Sequence, residues 1–349
     1  MAGQDDAKEP VRQSLPLRPA AHATLDLDRR CFRLLKLHPL SFPERQIQCC
    51  LEDHIFGDES DTIPPYEAVS YAWGSDAATH TIQVDGADFP VTRNLYTILQ
   101  HLSPQGGAAD TATRMLWIDA ICIDQYNPHE QSHQVRQMRD IYASASSVIF
   151  YLGDPTADTN LVMTALGMLD SRITDFGRQH VDELLLDIIW DEVQTELREK
   201  FSAVAERQRN GLHELLQRSW FKRVWIIHEV GTAKQGVVQC GARTVSCETF
   251  VLSPALLHVD VGAERRDILD AMPTPKRASS WLSQDRKNER SLYRLLQKFR
   301  KAEATLDRDR IYALLGLCEN SPASSRQPGM VVDYKKTDDD IIRDTIAHI

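Results

Sequence analysis

Glu229 stands four residues after Trp225, so on a helix its carboxylate and the indole share one face. A carboxylate beside aromatic rings can hold substrate hydroxyls and stabilise positive charge that develops as a bond breaks. The rings are then left to stack on a planar group. Other segments carry polar and aromatic groups of the same kind. Ser70, Tyr71, Trp73 and Gly74 close one apolar run, Asp119 interrupts another, and Arg223 precedes Trp225 by two residues. Each also has a purely structural reading. Glu229 can be a surface or ion-paired residue at a helix end. Asp119 is either functional or a buried acid with a partner such as Arg223. Trp117, Trp220 and Trp225 suit a core, and Trp73-Gly74 suits a strand end where glycine permits a turn. His228 is a satisfied interior histidine or a group titrating near neutrality. Arg308, Asp309 and Arg310 read as structural ion pairs. Cys122 with His129 or His133 raises thiol chemistry, but the spacing fits no Cys–His motif, and a small buried hydrophobe is the competing reading.

The elements that must position these groups follow from periodicity. Residues 1–25 read as a loose polar tail. Residues 31–39 and 47–56 look like two strands joined by a turn around Pro43, and 66–73 like a strand ending at Gly74. Asp85-Gly86 between alternating apolar residues of 79–92 signals a hairpin. Leu95, Ile98, Leu99 and Leu102 lie on one face of a helix. The apolar runs 115–123 and 147–153 predict strands buried on both faces, joined by a helix over 130–145. A strand–helix–strand unit makes them parallel. Residues 160–217 are helical, with Ile189, Val193, Leu197, Phe201 and Val204 in one stripe, and read as an insertion, a lid or an interaction arm. The run 223–231 is strand or helix by pattern alone. Residues 236–247 resemble a hairpin, and the remainder, with 291–299 and 309–317, is helical.

The expected fold class is therefore α/β. A mainly parallel sheet built from 66–72, 115–123 and 147–152 is flanked by helices and carries antiparallel N-terminal additions. The expected organisation is a tail over 1–25, a core over 26–235 that includes the insertion 160–217, and a hairpin and helical part over 236–349 packed on it.

Composition narrows the function classes. The 349 residues include 40 Lys+Arg and 50 Asp+Glu, a formal net charge of −10. An acidic chain is poorly suited to non-specific nucleic-acid or anionic-membrane binding. No apolar run has the length of a membrane span, and the polar start MAGQDDAKEP does not read as a secretory signal. Seven scattered cysteines, with no Cys-x-x-Cys pair, speak against a disulfide framework or structural zinc. Reduced thiols fit a cytosolic or nuclear protein. There is no Gly-x-Gly-x-x-Gly after a strand and no P-loop sequence, so neither a tightly held dinucleotide nor a P-loop nucleotidase is expected.

Four segments together resemble the fungal heterokaryon-incompatibility (HET) domain, across roughly residues 31–335. They are Tyr66-Glu-Ala-Val-Ser-Tyr-Ala-Trp73-Gly74; Leu116-Trp-Ile-Asp119-Ala-Ile-Cys122-Ile-Asp-Gln125, with Glu130 and the Gln134-Val-x-x-Met138-x-x-Ile-Tyr142 helix; Arg218-Ser-Trp220-Phe-x-Arg223-Val-Trp225-Ile-Ile-His-Glu229; and Asp307-Arg-Asp-Arg310-Ile-Tyr-Ala-Leu-Leu-Gly316. His228 stands where the family usually has Gln. The resemblance implies a cytoplasmic fungal protein that triggers cell death on non-self recognition, self-associates, and answers to an upstream allorecognition partner such as an NLR-type receptor. It also implies a more distant likeness to TIR domains, many of which cleave NAD, and so a TIR-like, flavodoxin-like core. Val69-Ser70-Tyr71 is similar to their first strand, and Trp225-Ile-Ile-His-Glu229 to their Trp-Cys-x-x-Glu helix, with Ile226 in place of Cys.

Carried over on those residues, Glu229 is the expected catalytic carboxylate. Ser70, Tyr71, Trp73, Gly74, Asp119, Arg223 and Trp225 are the expected NAD-binding residues. No metal and no tightly bound cofactor is implied, because NAD is the substrate. Cleavage of the nicotinamide–ribose bond passes through an oxocarbenium-like state, as in glycoside hydrolysis, and needs no metal. The competing reading is a non-enzymatic, self-associating death-signalling adaptor. The chain ends within a charged, helical stretch over 337–349 and reads as a fragment of a longer protein or a short family member.

Overall fold

The computed structural model of the protein describes residues 22–40, 46–74, 77–104, 113–274, 291–318 and 330–349. Among the described residues, nine strands form one sheet in the order β5-β4-β2-β1-β6-β3-β7-β8-β9. In chain order these are β1 (Cys31–Leu37), β2 (Gln48–Ile55), β3 (Glu67–Tyr71), β4 (Ala78–Val84), β5 (Ala87–Thr92), β6 (Arg114–Trp117), β7 (Ser147–Tyr151), β8 (Gly236–Cys240) and β9 (Arg243–Ser246). The centre, β6-β3-β7-β8, is parallel, as the strand–helix–strand pattern required. The N-terminal pair adds to it antiparallel, through β1 on β6. Asp85 and Gly86 both take positive φ, the two-residue turn expected between β4 and β5.

The helices are α1 (Arg93–Leu102), α2 (Asp119–Cys122), α3 (Pro128–Ser144), α4 (Ala157–Phe176), α5 (Glu183–Lys200), α6 (Val204–Leu216), α7 (Trp225–Thr232), α8 (Cys247–Phe250), α9 (Ser253–Leu256), α10 (Gly262–Ala271), α11 (Leu292–Lys298), α12 (Asp309–Leu315) and α13 (Asp338–His348). Local chemistry starts several of them. The Thr92 hydroxyl accepts the Leu95 N–H at α1, and Asn127 caps α3 ahead of Pro128. Thr156 and Thr159 cap α4 reciprocally.

Three expectations need correction. The run 115–123 is not one strand. β6 stops at Trp117, and Asp119–Cys122 turns into α2, with the Cys122 N–H bonded to the Ile118 carbonyl at 2.8 Å. A short run that is buried either way has no periodicity to separate strand from helix. Part of the helical region 160–217, expected as an insertion, a lid or an interaction arm, packs on the core. α4 packs on α6 and on the β8–β9 edge, burying Leu161, Val162, Met163, Ala165, Leu166 and Leu169. Phe201 is 45% exposed because α5 ends at Lys200, while Ile189, Val193, Leu197 and Val204 are buried as the stripe required. At the N-terminus, the end of the expected tail is anchored: Leu25 is buried and His22 bonds the Ile121 carbonyl at 2.7 Å, with Ala23 and Thr24 exposed between them. Residues 1–21 of the expected tail, the Pro43 turn, and Ser75 and Asp76 lie outside the described residues.

Candidate active site

The site is built on the face of β3 that carries Ser70. Register partners on neighbouring strands point to the same side of a sheet, so Ser70 lies beside Phe150 of β7, and Ala68 beside Trp117 of β6. Trp220 lies edge-on to Phe150, with ring centroids 5.6 Å apart, and its indole N–H donates to the Ser70 hydroxyl at 2.8 Å. A serine hydroxyl has a single proton to give. With Trp220 on one of its acceptor positions, that proton is free for the Glu229 carboxylate, which the Ser70 hydroxyl holds towards its charged form. The run 223–231, strand or helix by sequence, is resolved as helix α7, which packs against α3 and α12 and carries Glu229 to this point.

Glu229 is 2% exposed, and its Oε2 has no hydrogen-bond partner among the described residues. Burial pushes its carboxyl up to about 7, against the opposing pull of the Arg223 charge and the Ser70 hydroxyl. Such a group exchanges a proton near neutrality and holds an oxygen ready for a donor.

The remaining residues sit where β3 and β6 end. Both strands run parallel, so Trp73 and Asp119 leave the sheet on the same edge, and the Trp73 indole N–H donates to Asp119 Oδ2 at 3.0 Å. The carboxyl edge of a parallel sheet is where open α/β folds bind ligands. Asp119 opens α2 and accepts the Ala120 N–H at 2.8 Å. Burial raises its pKa, while Arg223 and the Trp73 N–H hold it down. Arg223 is half-buried, donates from Nη1 to the Tyr71 carbonyl, and exerts its charge on Asp119, Glu229 and Asp309 alike. Tyr71 and Tyr142 are buried beside these groups, and burial raises both phenols well above their ordinary range. Gly74 is exposed with φ +78°, and a Cβ there would stand 2.6 Å from the Asn94 amide nitrogen.

A buried ion pair holds the turn that carries Asp119. Arg33 of β1 and Glu130 of α3 are both nearly inaccessible. Arg33 Nη1 also donates to the Cys122 carbonyl at 3.1 Å, and Glu130 Oε1 accepts the Asp124 N–H at 2.7 Å. The pair therefore ties the start of the loop between α2 and α3 to β1 and to α3.

The structure thus brings Ser70, Tyr71, Asp119, Arg223 and Glu229 into one electrostatic neighbourhood, with Trp73 joined to it through Asp119. The Ser70 hydroxyl, expected as a ligand contact, accepts the Trp220 N–H and neighbours the Glu229 carboxylate. The Trp225 indole N–H lies against the Asp309 carboxylate of α12, and Trp117 and Trp220 are fully buried. Trp220 and Asp309 are the residues that sequence reasoning assigned only structural roles. Their place in the third and fourth motifs was the available signal.

Cys122 is buried with its thiol pushed up to about 12 by burial, and the His133 ring bonds the Arg29 carbonyl at 2.8 Å. Nucleophilic thiol chemistry has no support there. Among the described residues, no group of three or more His, Cys, Asp or Glu side chains is placed to hold a metal, and no helix is long and apolar enough to cross a membrane.

Residues 66–229 match the family model described as heterokaryon incompatibility protein (HET). Over 232 residues the chain is 35% identical to heterokaryon incompatibility protein 6, OR allele, of Neurospora crassa. That match covers 61% of this chain and 34% of the relative, so the chain spans about a third of that protein's length. No solved structure matches the chain.

Proposed function

We propose that the chain, whose residues 66–229 match the heterokaryon incompatibility family, acts in heterokaryon incompatibility by hydrolysing NAD at the nicotinamide–ribose bond. The observation that carries this reading is the buried Glu229 carboxylate, with one unpartnered oxygen, beside the carboxyl ends of two parallel strands. In the reaction, the C1′–N bond breaks and nicotinamide leaves with the bonding pair, which neutralises its pyridinium charge. Water adds at C1′, giving ADP-ribose, nicotinamide and a proton. Glu229 holds the ribose hydroxyls and stabilises the oxocarbenium-like charge. Trp73 and Trp225 provide stacking walls. The Arg223 fork offers donors to the diphosphate.

Glu229 is nearly sealed, so the resting site is closed, and turnover rises when self-association opens it. NAD is always present in a cytoplasm, so substrate supply is no switch. The equilibrium must instead be shifted by contacts made only in the assembled state. The test is nicotinamide release from NAD by purified protein across a concentration series, with and without a crowding agent. Activity per molecule should climb with assembly and vanish in Glu229→Gln. A second reading, a non-enzymatic self-associating adaptor, draws on the same burial, since a sealed acid bonded to a serine also serves as an interior polar contact. An assembled protein that releases no nicotinamide establishes that reading and removes the first.

A further inference from the structure

The fourth motif, Asp307–Gly316, lies outside the matched segment 66–229, yet it packs on the site. Just before it, Glu303 pairs with the backbone on both sides of Arg223. The Glu303 N–H donates to the Lys222 carbonyl at 2.6 Å, and the Val224 N–H donates to the Glu303 carbonyl at 2.9 Å. At the end of α12, Gly316 comes so close to α7 that a Cβ there would stand 2.6 Å from His228 Nε2. At its start, Asp309 is 9% exposed and accepts the Tyr334 hydroxyl at 2.7 Å. Where α12 packs on α7, the same carboxylate lies against the Trp225 indole N–H and faces Arg223. Tyr334 is itself held, its N–H by the Ser132 hydroxyl at 3.0 Å and its carbonyl by Arg308 at 3.0 Å.

We propose that Asp309 is a positioning residue of the site: its carboxylate fixes the Trp225 indole and balances the Arg223 charge, so that a working site requires residues 303–316 and Tyr334 as well as the matched segment. Trp225 lies one helical turn from Glu229. With its N–H anchored to α12, the ring plane is set and only its faces are left for stacking on a planar substrate group. The catalytic part of this inference rests on the NAD-cleaving reading, whereas the anchoring part does not.

The test uses the full chain labelled with 15N, with the Trp225 indole resonance assigned through Trp225→Phe. In Asp309→Ala, the Trp225 signal should move and its indole proton should exchange with solvent about tenfold faster, the scale of one lost charge-assisted hydrogen bond. The Trp73 and Trp220 signals should stay in place. Asp309→Asn, which keeps an acceptor and drops the charge, should hold the Trp225 signal near its original position. In the nicotinamide assay, Asp309→Ala should raise KM for NAD about tenfold, with kcat within about twofold. If Asp309→Ala does not fold, Asp309→Glu carries the same test, because displacing the carboxylate by one methylene must move the Trp225 signal alone. An unmoved Trp225 signal, or equal movement of all three indoles, overturns the proposal. The indole signals need no turnover, so a wild-type protein that releases no nicotinamide removes the NAD reading and leaves this measurement decisive for Asp309.

Discussion

The Trp220 indole nitrogen stands 2.8 Å from the Ser70 hydroxyl oxygen and donates to it, joining two motifs 150 residues apart. The bond occupies one acceptor position of Ser70 and leaves its only proton free for the neighbouring Glu229 carboxylate. A large core residue, a small strand residue and the candidate catalytic acid are therefore polar neighbours in that order.

Ser70→Ala removes an acceptor and a donor at once. The Trp220 N–H is left buried without a partner, which costs about 1–3 kcal/mol in a urea titration. Glu229 loses a bond that favours its charged form, so its pKa rises above about 7. The pH profile of nicotinamide release should shift upward in step. A profile that stays in place would show that Ser70 does not tune the acid.

Glu229 and His228 pull stability in opposite directions across nearly the same pH window. Burial raises Glu229 from 4.5 to about 7, so the folded state keeps a proton that the unfolded state has lost. Its contribution is present at low pH and fades as pH rises from about 4.5 to about 7. Burial, aided by Arg139, lowers His228 from 6.5 to about 4. Its contribution is present above pH 6.5 and fades as pH falls towards 4. Each amounts to roughly 3 kcal/mol, and in the wild type they largely cancel. Glu229→Gln should expose a stability that increases with pH between about 4.5 and 6.5, and His228→Gln one that decreases. Parallel stability curves for the two variants would contradict the assignment.

Glu130→Met leaves the buried Arg33 guanidinium with only the half-exposed Asp53 carboxylate, 3.6 Å away, as a charge partner, at a cost of about 3 kcal/mol. Arg33→Met combined with Glu130→Met removes both charges and should cost clearly less than the sum of the two single changes. Thermal denaturation of the four proteins closes the cycle. Additive losses would mean that the pair does not act as a unit.

Gly74→Ala meets two obstacles, a positive φ and the Asn94 amide. The left-handed conformation alone costs about 1–2 kcal/mol with a Cβ. Asn94→Ala in the same chain should recover the steric part and leave the conformational part. The two variants can be compared by their denaturation midpoints. Full recovery would show that φ at this position relaxes freely.

What the sequence determined by itself is what neighbouring residues decide together. Asp85-Gly86 dictated a hairpin because few other pairs tolerate positive φ at both positions. The spacing of Leu95, Ile98, Leu99 and Leu102 dictated α1, and the buried runs around α3 dictated parallel central strands. The four motifs marked where polar and aromatic groups would meet. The tertiary structure decided the rest. It ended β6 at Trp117, placing Asp119 on a helical turn, and it made 223–231 a helix, because apolar runs this short are buried in either form. It also chose the partners: Trp220 for Ser70, Glu130 for Arg33, Asp309 for Trp225. Such pairings are set by which buried groups the folded chain leaves facing one another, a property of the whole packing that no local window of residues contains.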